Sequence, residues 1–277
     1  MAIISFWSNG KSETGKATAM AAITTFLAVH HNYKILVLDT KHNDYFYSDC
    51  YWKEDKTIKL IHNQNSEKTN IASGISGLTK AILSKKVSPE IITNYTKIVF
   101  KNRLEVLTDT KIMQEDYQVH KKVFRDIAKI ANQYYDLVFI DIDNNLDRIT
   151  TNSILEISDL VVVNISQKIR QINDYLKTKE ENIILKEKAF MPLVGRFDEN
   201  SKYTGKNISR YLKEKETIAT IPYNTSFFDA CNEAEVADFF VKHIRMNSKD
   251  KNSLFLEEVK KVSERIIYKL QELQMRL

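Results

Sequence analysis

Two kinds of apolar spacing alternate along the chain. Residues 3–7, 33–39, 104–108, 134–143, 158–165, 190–198 and 217–224 contain short, nearly continuous apolar runs. Such runs suit parallel strands that are buried on both faces. Between them lie stretches that read as helices: 19–29, 77–83 and the segment up to Leu212. In 120–135 the apolar positions Val123, Ile127, Ile130, Ala131 and Tyr134 recur at helical steps and predict a helix covering the sheet. Residues 252–277 repeat that spacing through Leu256, Val259, Val262, Ile266, Leu270 and Leu273, an amphipathic terminal helix. Residues 42–70 are polar and aromatic with little period, and read as loop and short helix whose rings pack over a sheet edge. The alternation predicts an α/β fold, three layers with a central, mostly parallel sheet.

A length of 277 residues allows one large domain or two small ones. Six glycines, three prolines and no internal repeat leave no flexible linker to mark a boundary, so a single domain over 1–277 is expected. Hydrophobic residues at 43% and charged residues at 28% are the composition of a globular chain with a sizeable core. Cys50 and Cys231 show no ligand spacing and suggest no disulfide framework, which points to a reducing cytoplasm. No signal peptide is visible, and the apolar part of 19–29 is too short to span a bilayer. The net charge of +5 is compatible with DNA or an acidic membrane surface and requires neither.

The first strand run opens into a glycine-bounded loop and then a helix. Gly10, Lys11, Ser12, Glu13, Thr14, Gly15 and Lys16 supply the G-x-x-x-x-G-K pattern of a phosphate-binding loop. Gly10 and Gly15 permit backbone angles closed to other residues. The amides between them, and those opening the helix, can point at one anion, with Lys16 reaching the outer phosphates. The Ser or Thr expected next is Ala17, and Thr18 stands one residue out of phase. Four apolar residues ending in Asp141 form a second signal, a strand-tip carboxylate of the kind that holds the water shell of Mg2+ beside a nucleotide.

Taken in order, these landmarks resemble the ParA/MinD-type P-loop ATPases, of which the chain is identified as a divergent member. Lys11, five positions before Lys16, matches the extra lysine of that family's deviant Walker A loop. The resemblance implies that Lys11 crosses a homodimer interface to the partner's nucleotide, that Lys16 acts on the phosphates, and that Asp39 and Asp141 surround Mg2+. Where the family's second strand ends D-x-D, this chain has Asp39, Thr40 and Lys41, so the carboxylate that positions attacking water is missing. The stretch 190–198 resembles the family strand ending V-x-N-R-[YF]-D, with Gly195 in the place of the adenine-recognising Asn. Arg196 then lies along the base or the dimer surface, or is an ordinary exposed arginine. Pro222 and Tyr223 match the I-P-Y turn that borders the base, although a proline also simply ends a strand.

The function implied is an ATP-dependent dimerising switch, weak in hydrolysis, that positions DNA or a membrane-associated machine through a protein partner. Such a protein is cytoplasmic, with peripheral attachment to nucleoid or membrane. The alternative is a scaffold that holds ATP or ADP without turnover, for which Ala17, Lys41 and Glu13 speak. MinD proteins bind membrane through a terminal amphipathic helix. Here Lys260, Lys261, Arg265, Lys269 and Arg276 are balanced by four glutamates, which favours packing in the core or a dimer. The basic residues Lys242, His243, Arg245, Lys249 and Lys251 read as a solvated connection rather than a DNA contact.

Overall fold

The computed structural model describes residues 1–8, 14–53, 74–84, 88–109, 112–245 and 249–275. Among the described residues eight strands form one sheet in the order β3-β4-β2-β5-β1-β6-β7-β8. They are β1 (Ala2–Trp7), β2 (Ile35–Asp39), β3 (Lys97–Phe100), β4 (Leu104–Leu107), β5 (Leu137–Asp141), β6 (Leu160–Ile165), β7 (Ala189–Phe197) and β8 (Ala219–Pro222). All neighbours run parallel except the edge pair β3–β4, which is antiparallel and bulged between Ile98 and Phe100. The expectation of a mostly parallel central sheet is met.

Side chains alternate across the sheet and divide the core in two. Ile35, Val37, Phe6 and Phe139 face one layer of helices, and Leu36, Leu38, Val138 and Ile140 face the other. The first layer contains α1 (Lys16–His30), α2 (Phe46–Tyr51), α9 (Thr225–Asn232), α10 (Val236–Lys242) and α11 (Ser253–Met275). Opposite lie α3 (Gly74–Leu83), α4 (Gln114–Ala131), α5 (Arg148–Ile157), α6 (Ile169–Glu181), α7 (Ile183–Glu187) and α8 (Gly205–Leu212). Helix α4 begins six residues before the expected start, and its apolar stripe at Val123, Phe124 and Ile127 is buried as expected.

Helix α1 is buried almost all round, from Ala19 to Ala28. It is held between the sheet and the helices α10 and α11, which explains why its sequence is apolar without a polar face. The terminal helix α11 lies across α1 and β8, with Leu256, Val259, Val262, Ile266 and Leu270 buried. Its apolar face is thus part of the core, and Arg265 ties its outer side to Glu216 and to the Thr217 carbonyl. Among the described residues no helix is long and apolar enough to cross a membrane. Cys50 and Cys231 are free and buried.

Because β2, β5 and β1 are adjacent and parallel, their carboxyl ends open on one edge. There Asp39 pairs in register with Asp141, and Phe6 pairs with Asp141 on the other side.

Candidate functional site

The chain enters α1 through Gly15, whose φ of 69° is left-handed, a conformation that suits glycine. A Cβ there would also lie 2.9 Å from Arg196 Cγ. This turn delivers Lys16 as the first residue of α1, 7% exposed, at the tip of β5. Its Nζ lies 2.9 Å from Asp141 Oδ1 and donates to the Ile142 carbonyl and, at 3.2 Å, to Asn144 Oδ1. Gly10, Lys11, Ser12 and Glu13 lie outside the described residues.

The second oxygen of Asp141 is also engaged. Lys41 Nζ lies 3.0 Å from Oδ2, and the Tyr47 hydroxyl donates to the same oxygen at 3.0 Å. Lys41 is paired in addition with Asp44 at 2.9 Å. Asp39, one strand over, accepts from the Thr108 hydroxyl and from the Lys41 amide, each at 3.2 Å. Thr40 clamps the strand tips, its hydroxyl donating to the Asp141 carbonyl and accepting from the Asp143 amide, both at 2.9 Å. Two ammonium groups, two buried carboxylates and a buried phenol therefore share one pocket of low dielectric.

The electrostatics follow from that arrangement. Burial alone would push Asp141 up, but Lys16 and Lys41 together hold it below the usual carboxylate range. Burial pushes Asp39 up to about 7, against the pull of Lys41 and with help from Asp141 and Asp44. Lys41 is opposed by burial, yet Asp141, Asp39 and Asp44 keep it charged, above the ordinary lysine range. Burial, with Asp141 beside it, raises the Tyr47 phenol far above its usual value, so it stays a donor.

These residues do not fit a divalent cation as they stand. Both oxygens of Asp141 face ammonium groups, Oδ1 ion-paired with Lys16 yet accepting no hydrogen bond and Oδ2 contacted by Lys41 and Tyr47, and Ala17 brings no oxygen ligand. A divalent ion about 4 Å from the Lys41 ammonium would be repelled by roughly 8 kcal/mol at an effective dielectric of about 20. Among the described residues no group of three His, Cys, Asp or Glu side chains could hold a metal. Asp39 and Asp141 converge as the sequence predicts, but they converge on lysine.

On the other side of Gly15 the expected base-side residues also come together. Gly15, Thr18, Arg196, Pro222, Tyr223 and Phe228 line one crevice of about 20 Å³. That is room for a single water and not for a purine. At its mouth Tyr223 and Phe228 are exposed, with ring centroids 6.1 Å apart. Gly195 has a steric reason: a Cβ on it would lie 2.3 Å from the Thr14 carbonyl oxygen. The end of the loop fills the space where a side chain would begin. Arg196 follows with a φ of 48°.

Of the residues expected at the site, Thr14, Gly15, Lys16, Ala17, Thr18, Asp39, Asp141, Arg196, Pro222 and Tyr223 all lie at or beside the α1 entrance. Sequence reasoning missed Tyr47, read only as one ring in an aromatic stretch. It missed too that Lys41 bonds Asp141. The available signal was a lysine two positions after a buried strand-end carboxylate.

The family model for an AAA domain matches residues 1–184. A ParA family ATPase from Chlorobium tepidum TLS is 16% identical, with 92% of this chain and 95% of that one covered and a TM-score of 0.64. The septum site-determining protein MinD from Pyrococcus horikoshii OT3, complexed with Mg-ADP, is 17% identical over 97% and 98%, with a TM-score of 0.63. A chain of the MinC:MinD cell division protein complex from Aquifex aeolicus is 16% identical over 96% of each chain, with a TM-score of 0.59. No curated protein matches the sequence. The chain belongs to the AAA domain family and has the fold of the ParA/MinD-type P-loop ATPases.

Proposed function

We propose that the chain is a nucleotide-dependent dimerising switch of the ParA/MinD type, slow in hydrolysis, which positions or partitions DNA or a membrane-associated machine. The observation that carries this reading is the 2.9 Å pairing of Lys16 with Asp141 beside the left-handed Gly15 turn. A loop lysine and a strand-end carboxylate meet there at the carboxyl edge of a parallel sheet, where such folds bind ligands. ATP or ADP is the ligand, with its phosphates on the amides at the α1 entrance. Lys16 exchanges Asp141 and the Ile142 carbonyl for phosphate oxygens when nucleotide arrives. The base lies outside the narrow crevice, across its mouth against Pro222 and the exposed Tyr223, with Arg196 alongside. Lys11 completes the site of a second copy, and the nucleotide-bound homodimer engages a protein adaptor in the cytoplasm.

Slow turnover follows from the side chains around the phosphates. Phosphoryl transfer to water needs a group that accepts a hydrogen bond from the attacking molecule and orients it. Lys41 stands where a carboxylate would do so, and an ammonium has donors only. This observation favours a second reading, a scaffold that binds nucleotide and never hydrolyses it. Calorimetric titration with ATP, followed by a phosphate-release assay, separates the two. Tight binding with slow release that Lys16→Ala abolishes supports the switch. Tight binding without release supports the scaffold, and no heat with ATP or ADP removes both.

A further inference from the structure

Lys41 is held as a binding group is held, not as a surface charge. Its side chain is 18% exposed, and its ammonium is paired with Asp141 and Asp44. The rings of Phe46 and Tyr47 flank it, with centroids 5.6 and 5.7 Å away. Three elements are committed to this placement, the loop after β2, helix α2 and the tip of β5. A solvated lysine would keep its rotamer freedom and its hydration, and this one has given up most of both.

The placement coincides with a charge requirement. In a P-loop site a divalent ion, ligated by the hydroxyl after the loop lysine and held by the strand-end carboxylate, neutralises the polyphosphate. Here Ala17 removes the hydroxyl, and Asp141 already receives Lys16 on one oxygen and Lys41 with Tyr47 on the other. The positive charge is nonetheless present, carried on a side chain 3.0 Å from that carboxylate. Resting on the nucleotide-binding reading above, we propose that Lys41 is a built-in cation that takes the charge-neutralising place of Mg2+, so that the site binds a metal-free nucleoside polyphosphate. Tyr47 and Asp44 are the positioning residues that keep its ammonium at Asp141.

The test is ATP binding followed by calorimetry in EDTA and in excess Mg2+. Wild-type affinity is expected to change less than about threefold between the two conditions. Lys41→Gln is expected to weaken binding in EDTA by about tenfold or more, the equivalent of about 1.4 kcal/mol. The double variant Ala17→Thr with Lys41→Asp, which restores a hydroxyl and a carboxylate, is expected to bind only when Mg2+ is present. Thermal unfolding of each variant reports whether it is folded, and the wild-type comparison needs no variant. Loss of wild-type binding in EDTA overturns the proposal and leaves the nucleotide reading standing. Lys41→Gln binding as wild type also overturns it, since Lys41 would then only balance Asp141. Failure of the wild type to bind ATP under either condition ends both.

Discussion

At the scale of single residues, an apparent loss turns out to have a steric cause. In the sequence Gly195 reads as the absence of an adenine-recognising side chain. In the fold, the Thr14 carbonyl oxygen would stand 2.3 Å from any Cβ placed there, so a side chain requires the loop before α1 to move. The neighbour is backbone, with no rotamer to yield. Gly195→Ala is therefore expected to cost about 1–3 kcal/mol. In a chain of this size each kcal/mol lowers Tm by about 2–4 °C. Because Thr14 must move and leads directly into the α1 entrance where nucleotide binding is proposed, nucleotide affinity should fall along with Tm. A thermal melt in which Gly195→Ala equals the wild type would show that the loop end is not packed on β7. What the sequence conceals here is which backbone approaches the glycine. Tyr47 was equally hidden: its bond to Asp141 joins residues 94 positions apart, and no local pattern encodes that.

At the scale of elements, the terminal helix α11 carries the sharpest test. Its stripe of apolar residues was legible as a helix, but periodicity alone does not say whether the stripe meets a core, a partner or a bilayer. In the fold Ile266 is fully buried with Val259 and Val262 in the cluster formed with α1, whereas Tyr268 on the other face is 61% exposed. Ile266→Ala is expected to destabilise the protein by about 2–5 kcal/mol in urea unfolding, and Tyr268→Ala by no more than about 0.5 kcal/mol. A detachable membrane helix would show the opposite: little stability change for either variant and loss of vesicle binding for Ile266→Ala. The central strands were readable because burial on both faces leaves nearly unbroken apolar runs, as in Leu137–Asp141 and Leu160–Ile165. Strand β3 was not expected at all. It has four residues, its first two are exposed, and it pairs antiparallel at the edge, so neither continuity nor alternation announces it. The convergence of Asp39 and Asp141 was legible because both end strands that such a fold sets side by side. That Lys41 would turn inward onto Asp141 depends on the aromatic wall of α2, which has no period to read.

At the scale of the whole molecule, the buried charges should appear in how stability varies with pH. Asp39 has a folded pKa of about 7 against an ordinary value of 3.8, because burial and the neighbouring Asp141 and Asp44 outweigh Lys41. Between those two values the folded chain holds a proton that the unfolded chain has released. The stabilisation from Asp39 is thus fully present below about pH 4 and is lost as pH rises through about 7, a change on the order of a few kcal/mol. Asp109, also raised by burial, acts in the same sense. His30 and His120 are lowered by burial and act the other way, their contribution disappearing as pH falls below the ordinary histidine range. The wild-type profile is a sum of these slopes, so the informative quantity is the difference from Asp39→Asn. That variant keeps the shape and cannot ionise. Its side-chain oxygen can still accept from the Lys41 amide while its NH2 donates to the Thr108 hydroxyl in place of the bond now accepted there, and Lys41 retains Asp141 and Asp44. Chemical denaturation at intervals from pH 5 to pH 8 should show Asp39→Asn gaining on the wild type as pH rises, with the largest advantage at pH 8. A difference that stays flat, or that grows toward low pH, would mean that Lys41 offsets the burial of Asp39 in full.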